Sequence, residues 1–304
     1  MSKAARLREQ SARERIAAQQ AAAKRKEARR RLIILGSSIF VVLAIVVGLV
    51  VAYGVRSTPK GTAAANSVTG TLLPASVASD ITGVPAATLD TIGSGSIPGY
   101  QNQTYAGSPL IKISDTPLTS AGKPEMLYIG AEYCPYCAAM RWSMAVALSR
   151  FGSFTTPLRG IHSSATDVDP STPTLTFYQA KYQSKYLTFT PVENEDFNHK
   201  TLQNTTASQQ ALWQKYDSSS SGLGYPFIDF GNKAVIKYPL YDPAVLKGLT
   251  WAQVATAMHD PSSPVAKAIN GAANYMTAGI CKMTGNSPGA VCSSKSITSL
   301  ESGL

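Results

Sequence analysis

The sequence predicts an α/β domain that follows one transmembrane helix. Residues 32–55 form an apolar segment without a charged residue, and residues 126–133 have the composition of a buried strand. Cys134 and Cys137 come directly after that strand, and apolar residues at steps of three and four continue to Phe151, as in a helix. The fold class rests on this succession of strand, Cys-Pro-Tyr-Cys motif and helix, and on the apolar segment before it.

The net charge of +10 is concentrated at the start of the chain. Residues 1–31 contain 11 basic and three acidic residues, whereas the rest of the chain contains 17 and 15. The near-neutral remainder argues against a nucleic-acid-binding surface. We interpret residues 1–31 as a basic cytoplasmic tail that orients the membrane segment, with lipid or partner binding as the alternative.

Residues 32–55 are long enough to cross the ~30 Å hydrocarbon core of a bilayer at ~1.5 Å per residue. The arginines at 29–31 precede them, which predicts a single-pass cell-membrane protein with its N-terminus in the cytoplasm. A cleaved signal peptide is the alternative, but the small residues at 63–65 lie well beyond the apolar run. Residues 56–70 have the composition of a linker, and residues 71–304 form the predicted extracytoplasmic domain.

The remaining elements of the domain follow from periodicity and turn residues. Short helices are predicted over 75–92, broken at Gly83 and Pro85, and Gly152 is predicted to end the helix after the cysteines. The further predictions are strands over 158–163, 174–178 and 186–190, a helix over 208–216, a hairpin over 225–238 with a Gly231-Asn232 turn, and helices over 251–258 and 265–276.

The Cys-Pro-Tyr-Cys motif has a direct chemical interpretation. At a helix N-terminus, unpaired N–H groups and the helix dipole stabilise a thiolate, which predicts a lowered pKa for Cys134. Pro135 fits the first turn, where its missing N–H costs nothing. Cys137 follows one turn later, so its sulfur can close a disulfide with Cys134 or resolve a mixed one. The motif therefore predicts redox chemistry that needs no cofactor.

Residues 130–137 resemble the active-site strand and turn of the thioredoxin superfamily, with Glu132 and the aromatic Tyr133 before the first cysteine. The Pro-Tyr dipeptide is the one that glutaredoxins use. The superfamily also has a cis-proline at the start of a later strand, which packs against the active-site disulfide and helps to hold the substrate backbone. Pro226, before residues 227–230, matches it in order and context; a trans proline opening an edge strand is the alternative. The resemblance implies a thioredoxin-like fold.

A closer resemblance is to the domain-of-unknown-function family 929. Residues 130–142, 147–154 and 184–189 carry it, and the C-terminal pair Cys281 and Cys292 is also similar. The resemblance covers roughly residues 71–292, and the family implies a thioredoxin-like fold without an established substrate.

Two departures from thioredoxin affect the interpretation. Thioredoxin has a buried aspartate six residues before its first cysteine, where this chain has Tyr128. Proton transfer would then need Glu132, water or another group. The chain before Pro226 is also longer than in a minimal thioredoxin, which implies an insertion within about residues 165–220.

The four cysteines allow other uses. All four could hold zinc, although the second spacing is poor for that and the predicted compartment is oxidising. Haem attachment needs a histidine where Ala138 stands. We expect no metal, and we expect Cys281 and Cys292 to form a structural disulfide, with a redox relay pair as the alternative.

The side chains around the motif complete the candidate site. Tyr133 precedes Cys134 and Tyr136 lies between the two cysteines. Arg141 and Trp142 follow on the helix. For Arg141, helix packing with a solvated charge is one interpretation; pairing with Glu132, or electrostatic tuning of the thiols, is the other. The three histidines are expected to be surface or core residues: His162, His199 and His259.

The functional hypothesis is a membrane-anchored thiol–disulfide oxidoreductase. Cys134 would exchange disulfides with the thiols or disulfides of exported proteins, Cys137 would resolve the mixed disulfide, and Pro226 would shape the substrate groove. A separate redox partner would recycle the pair, and an oxidising compartment favours oxidase or isomerase activity over reduction. The alternative is a non-enzymatic binding module at the membrane surface, in which the motif forms a stable disulfide.

Overall fold

The computed structural model describes residues 70–95, 109–219 and 222–303. The predicted basic tail, the predicted transmembrane helix and residues 56–69 of the predicted linker lie outside the described residues. In the described part of the chain, no helix combines the length and the apolarity needed to cross a bilayer.

Runs of strands separated by single helices make up most of the described chain, and its C-terminal part is helical. The strands are β1 (Thr71–Leu72), β2 (Ile111–Lys112), β3 (Thr119–Ser120), β4 (Lys123–Ala131), β5 (Gly152–Phe154), β6 (Arg159–His162), β7 (Pro173–Thr176), β8 (Tyr182–Ser184), β9 (Thr188–Glu195), β10 (Ser218–Ser219), β11 (Gly222–Leu223), β12 (Phe227–Phe230) and β13 (Ala234–Ile236). The helices are α1 (Ala75–Thr82), α2 (Ala86–Ile92), α3 (Pro135–Ser149), α4 (Ala207–Asp217), α5 (Trp251–Ala257), α6 (Pro264–Met283), α7 (Gly289–Cys292) and α8 (Lys295–Glu301), and a 3-10 helix covers Pro243–Leu246.

Strand β4 is central to the main sheet. It pairs in parallel with β9 and antiparallel with β12, and the sheet continues from β12 to β13 and β2. Met126 and Tyr128 pack into the larger core with α3 and α6, whereas Leu127 and Ile129 pack on the opposite face with Trp213 of α4. Both faces of β4 are therefore buried, which explains why its sequence is continuously apolar rather than alternating.

Helix α3 makes the crossover from β4 to β9, and it begins at Pro135 as predicted. Residues 137–148 are all buried, so the helix is covered on every side instead of along one stripe. Helix α6 covers one side, where the Ser143 hydroxyl donates to the Ile269 carbonyl at 2.8 Å. Strand β7 covers another, where the Thr174 hydroxyl donates to the Ala138 carbonyl.

Gly152 does not end α3, so that prediction was wrong. The helix ends at Ser149, and Gly152 is the first residue of β5. A Cβ atom at Gly152 would lie 2.2 Å from the carbonyl oxygen of Gln183 in β8. The glycine thus permits the close approach of two strands. A glycine in that role cannot be told from a helix-ending glycine by sequence alone.

The other predicted elements are present, with small changes of bounds except at the C-terminal ends of β9 and α6. Helices α1 and α2 are separated at Gly83 and Pro85. Gly231 and Asn232 form the turn between β12 and β13, and both have positive φ angles, 63° and 58°. Two small sheets lie apart from the main one. Strands β1, β6 and β7 form the first, and β5 and β8 form the second. Strands β5 to β8 begin at Gly152, before the range in which the sequence placed an insertion.

The disulfide between Cys281 and Cys292 forms as predicted. Cys281 lies near the end of α6, which runs seven residues further than the predicted helix. Cys292 ends α7, and both side chains are buried in the larger core. The bond therefore ties the C-terminal residues to the helix that packs on α3.

Replacing Cys281 and Cys292 together by alanine should lower the free energy of unfolding by about 3 kcal/mol. The disulfide joins two residues that are 11 positions apart in the sequence, so its loss gives the unfolded chain more conformational freedom. Urea unfolding of the oxidised proteins measures the change. The matched control replaces Cys134 and Cys137 by alanine and keeps the cross-link. An equal loss in that control would contradict a stabilisation by the cross-link.

Candidate active site

Cys134 and Cys137 lie at the junction of β4 and α3. Cys134 is the N-cap of the helix, and its sulfur accepts a hydrogen bond from the Cys137 backbone N–H at 3.2 Å. Pro135 occupies the first turn, where its missing N–H leaves no donor unsatisfied. The two sulfurs are not bonded to each other, and the residues are only 4% and 0% exposed. The structure thus brings two free, nearly buried thiols together.

Burial has the largest effect on both thiols. It raises the pKa of Cys134 well above its ordinary value, and hydrogen bonding with Cys137 acts in the same direction. Burial also opposes ionisation of Cys137, but the hydrogen bond from Cys134 and the charge of Arg141 outweigh it and lower its pKa. The two sulfurs therefore titrate as a pair, in which the surroundings favour ionisation of Cys137 over that of Cys134. The expected lowered pKa of Cys134 was wrong, because burial outweighs the helix N-terminus.

Arg141 forms a buried ion pair with Glu193 of β9. Its Nε and Nη2 atoms donate to the two carboxylate oxygens at 2.9 and 2.6 Å, and both side chains are fully buried. Nη2 also donates to the Ala131 carbonyl at the end of β4, at 2.8 Å. The interpretation of Arg141 as a solvated charge was wrong, and so was its pairing with Glu132. Because α3 is covered on every side, this guanidinium needs a buried partner.

The sequence interpretation missed Glu193. The predicted strand ended at residue 190, but β9 continues to Glu195. Parallel pairing places Glu193 opposite Gly130, beside the end of β4. One sequence signal was available for it. Glu193 directly follows the apolar Val192, and Arg141, close to the cysteines, had no assigned partner of opposite charge.

Glu132 is fully buried beside this ion pair. The Thr176 hydroxyl donates to Oε1, while Oε2 has no hydrogen-bond partner among the described residues. Burial, reinforced by the charge of Glu193, raises the pKa of Glu132 to about 8. The carboxyl group is therefore protonated at neutral pH and is poised to exchange its proton just above neutrality. Its participation in proton transfer stays a prediction.

Tyr128 occupies the position at which the sequence comparison looked for a buried carboxylate. It is fully buried, and the Arg141 guanidinium lies 5.9 Å from the centre of its ring. Its hydroxyl lies over Gly130, where a Cβ atom would be 2.0 Å from it. Burial raises the pKa of Tyr128 well above its ordinary value. The Tyr128 side chain can occupy this place only because residue 130 is a glycine, whose missing Cβ leaves room for the hydroxyl group.

Aromatic side chains surround the cysteines. Tyr133, Tyr136 and Tyr225 pack against the cluster formed by Ala131 and the two cysteines. The Tyr225–Pro226 peptide bond is cis, and Phe227 pairs with Ile129, which places this turn at the cysteine end of β4. The candidate residues Cys134, Cys137, Glu132, Pro135, Tyr133, Tyr136 and Pro226 therefore lie in one region, together with Arg141.

His199 lies at the rim of this region. Its ring lies 3.8 Å from that of Tyr133, and its Nδ1 atom is 3.8 Å from a carboxylate oxygen of Glu195. The sequence interpretation treated it as one of three scattered histidines, and its side chain is indeed 63% exposed. The loop that carries it follows β9, so only the fold could place it beside the cysteines.

The four-cysteine zinc alternative disagrees with the structure. Cys281 and Cys292 are bonded to each other in the core. That bond leaves two cysteines at the site, fewer than an all-thiolate tetrahedral centre requires.

Glu132 should make stability fall as the pH rises. Its pKa is about 8 in the folded protein and close to the ordinary value of 4.5 in the unfolded chain. The folded state therefore holds an extra proton between these values, and the free energy of unfolding should decrease by up to about 1.4 kcal/mol per pH unit in that window. Urea unfolding from pH 5 to 9 measures it. Glu132→Gln, which cannot ionise, should lose this part of the slope, and an unchanged slope would contradict the assignment.

Arg141→Gln should lower the free energy of unfolding by about 3–5 kcal/mol, because it leaves the Glu193 charge buried without compensation. Arg141→Gln/Glu193→Gln should recover much of that loss, since no uncompensated charge remains. Thermal or urea unfolding of the two variants beside the wild type tests both expectations. A double variant less stable than the single one would show that the pair does not act through its charge.

The comparisons with known proteins identify one family. Its model, described as a domain of unknown function (DUF929), matches residues 109–282. No curated protein and no solved structure matches the chain. The matched residues make up more than half of the chain and include β4, the two site cysteines and both members of the buried ion pair. The protein therefore belongs to the family defined by the domain of unknown function DUF929.

Proposed function

We propose that the protein is a membrane-anchored thiol–disulfide oxidoreductase of exported proteins, with a thioredoxin-like domain that uses Cys134 and Cys137. The observation that carries this proposal is the pair of cysteines at a strand–helix junction, where the Cys137 N–H donates to the Cys134 sulfur and the turn at Tyr225 and Pro226 packs beside them.

The order of the strands supports a thioredoxin-like fold. A strand, a helix and a parallel strand (β4, α3 and β9) are followed by helix α4 and the antiparallel pair β12 and β13. In space these strands lie in the order β9, β4, β12 and β13. The cysteines follow the first strand and the cis-proline precedes the third, which is the arrangement that the superfamily resemblance implies.

The proposed reaction has two exchange steps. A thiolate attacks one sulfur of a disulfide, a mixed disulfide forms, and the other sulfur leaves as a thiolate. Cys134 is the residue that forms the mixed disulfide, because it retains some exposure whereas Cys137 is fully buried. Cys137 then attacks Cys134 and releases the substrate thiol, or the steps run in reverse when the protein is the oxidant.

The surroundings support a polypeptide substrate. Tyr133, Tyr136 and Tyr225 supply an aromatic surface next to Cys134. Tyr225 packs against the cysteines and Phe227 pairs with Ile129 at the same end of β4, so Pro226 between them can shape a groove for an extended backbone. Such a surface suits the apolar segments that incompletely folded proteins expose.

The anchor and the compartment are parts of the proposal that the sequence supports. Residues 32–55 are uncharged and apolar, and a basic segment precedes them. The buried Cys281–Cys292 disulfide suits an oxidising compartment. A separate redox protein would recycle the cysteine pair.

Trapping in cells tests the function. The full-length Cys137→Ala variant should accumulate mixed disulfides, because it lacks the sulfur that resolves them. Cys134→Ala should accumulate none, because it lacks the sulfur that forms them. Acid quenching, alkylation and non-reducing electrophoresis followed by mass spectrometry would detect and identify the adducts.

The binding-module alternative makes different predictions. Neither variant would trap a partner, and the wild-type pair would have a reduction potential far below about −300 mV, typical of a structural disulfide. The wild type would also fail to reduce insulin disulfides and to refold a reduced, scrambled substrate. That set of results would contradict the oxidoreductase proposal.

A further inference from the structure

We propose that Arg141 is a positioning residue that stabilises the thiolate of Cys137, so that the Cys134–Cys137 disulfide acts as an oxidant of thiol pairs in exported proteins. This inference rests on the proposed function and adds the direction of electron transfer, from the substrate to the protein. The substrate is then a reduced protein dithiol, and a buried ion pair controls how strongly the protein oxidises it.

Arg141 follows the second cysteine by about one turn of α3. Cys137 and Arg141 are four residues apart on α3, so their side chains share one face of the helix. The guanidinium is held in place by Glu193 and by the Ala131 carbonyl, at 2.6–2.9 Å. The same carbonyl accepts the Cys134 backbone N–H at 3.3 Å. The cation is therefore tied to the backbone that carries the cysteines.

One donor of Arg141 remains available. Its Nη1 atom is buried and has no hydrogen-bond partner among the described residues, although Nε and Nη2 are both engaged. A buried donor without a partner is costly unless an anion or a polar group approaches it. Nη1 does not bond the Cys137 sulfur in this structure either, so the guanidinium acts on a thiolate at Cys137 through its charge, which a disulfide cannot answer.

The other charged and titratable groups around Cys137 do not cancel this effect. Glu193 opposes the thiolate, but the charge of Arg141 has the larger influence on Cys137. Glu132 is protonated at neutral pH and Tyr128 is a neutral phenol, so neither adds a negative charge. Hydrogen bonding from the Cys134 thiol also favours a thiolate at Cys137.

The redox consequence follows from the charges of the two states. A substrate thiolate attacks Cys134 Sγ, the Cys134–Cys137 bond breaks, and its electron pair leaves with Cys137 as a thiolate. The second substrate thiolate attacks the substrate sulfur of the mixed disulfide and releases Cys134, which takes up a proton. The substrate loses two electrons and closes a disulfide, and the protein gains both electrons. A buried cation stabilises only the reduced product, and this makes the protein disulfide the stronger oxidant.

The equilibrium constant between the full-length protein and glutathione tests this inference. Glu193→Gln removes the opposing charge and keeps an oxygen for the guanidinium, so the equilibrium should move toward the reduced protein by about tenfold, or about 30 mV. Arg141→Gln/Glu193→Gln removes the cation and should move it the other way by a similar factor. Arg141→Lys, which keeps the charge, should remain closer to the wild type than the double variant does.

A matched control separates charge from general damage. Arg150→Gln alters a partly buried arginine at the C-terminal end of the same helix, where it contacts Asn274 and Thr277. Its equilibrium constant should equal that of the wild type within twofold. The pH dependence of alkylation of the reduced pair supplies a second readout, and the thiolate should require a higher pH in the double variant.

Shifts of opposite sign in Glu193→Gln and in the double variant would support the inference, because structural damage has no reason to act in opposite directions. Equal constants, or shifts of the same sign, would overturn it. If the double variant fails to fold, Glu193→Gln against Arg150→Gln still decides the question. If the wild-type pair does not exchange with glutathione and Cys137→Ala traps no substrate, the proposed function itself fails, which is a different result.

Discussion

The buried ion pair between Arg141 and Glu193 is the interaction on which the arrangement of the site depends. It joins α3 to β9, and through the Ala131 carbonyl it also joins both to the end of β4. These are the elements that converge on Cys134 and Cys137. Two opposite charges in the core are tolerated only when both are compensated, so the pair requires one register of the helix against the sheet.

The polar groups near the cysteines share one environment. Burial keeps Glu132 protonated and Tyr128 neutral, and it opposes the ionisation of both thiols. In a medium that solvates charge poorly, each group responds to its neighbours more strongly than it would in water. The cysteine pair, the ion pair and the protonated carboxyl group therefore behave as one electrostatic unit.

The local elements were largely predictable from sequence, because they depend on short-range patterns. The strand before the cysteines, the helix after them and the turn at Gly231 and Asn232 follow from periodicity and turn residues. The role of Gly152 was not predictable, since its contact with Gln183 joins strands from separate parts of the chain. The charge of Arg141 was misjudged for the same reason: burial on every side of α3 is a tertiary property.

The sequence by itself determined which residues could perform thiol chemistry and where they stand on the chain. The Cys-Pro-Tyr-Cys spacing fixes the two sulfurs one helical turn apart, whatever surrounds them, because helix geometry is local. Only the tertiary structure decided how burial and neighbouring charges act on each thiol, which carboxylate faces Arg141 and which histidine lies at the rim. Those properties depend on desolvation and on charges brought together from distant segments, and neither is encoded in the spacing of neighbouring residues.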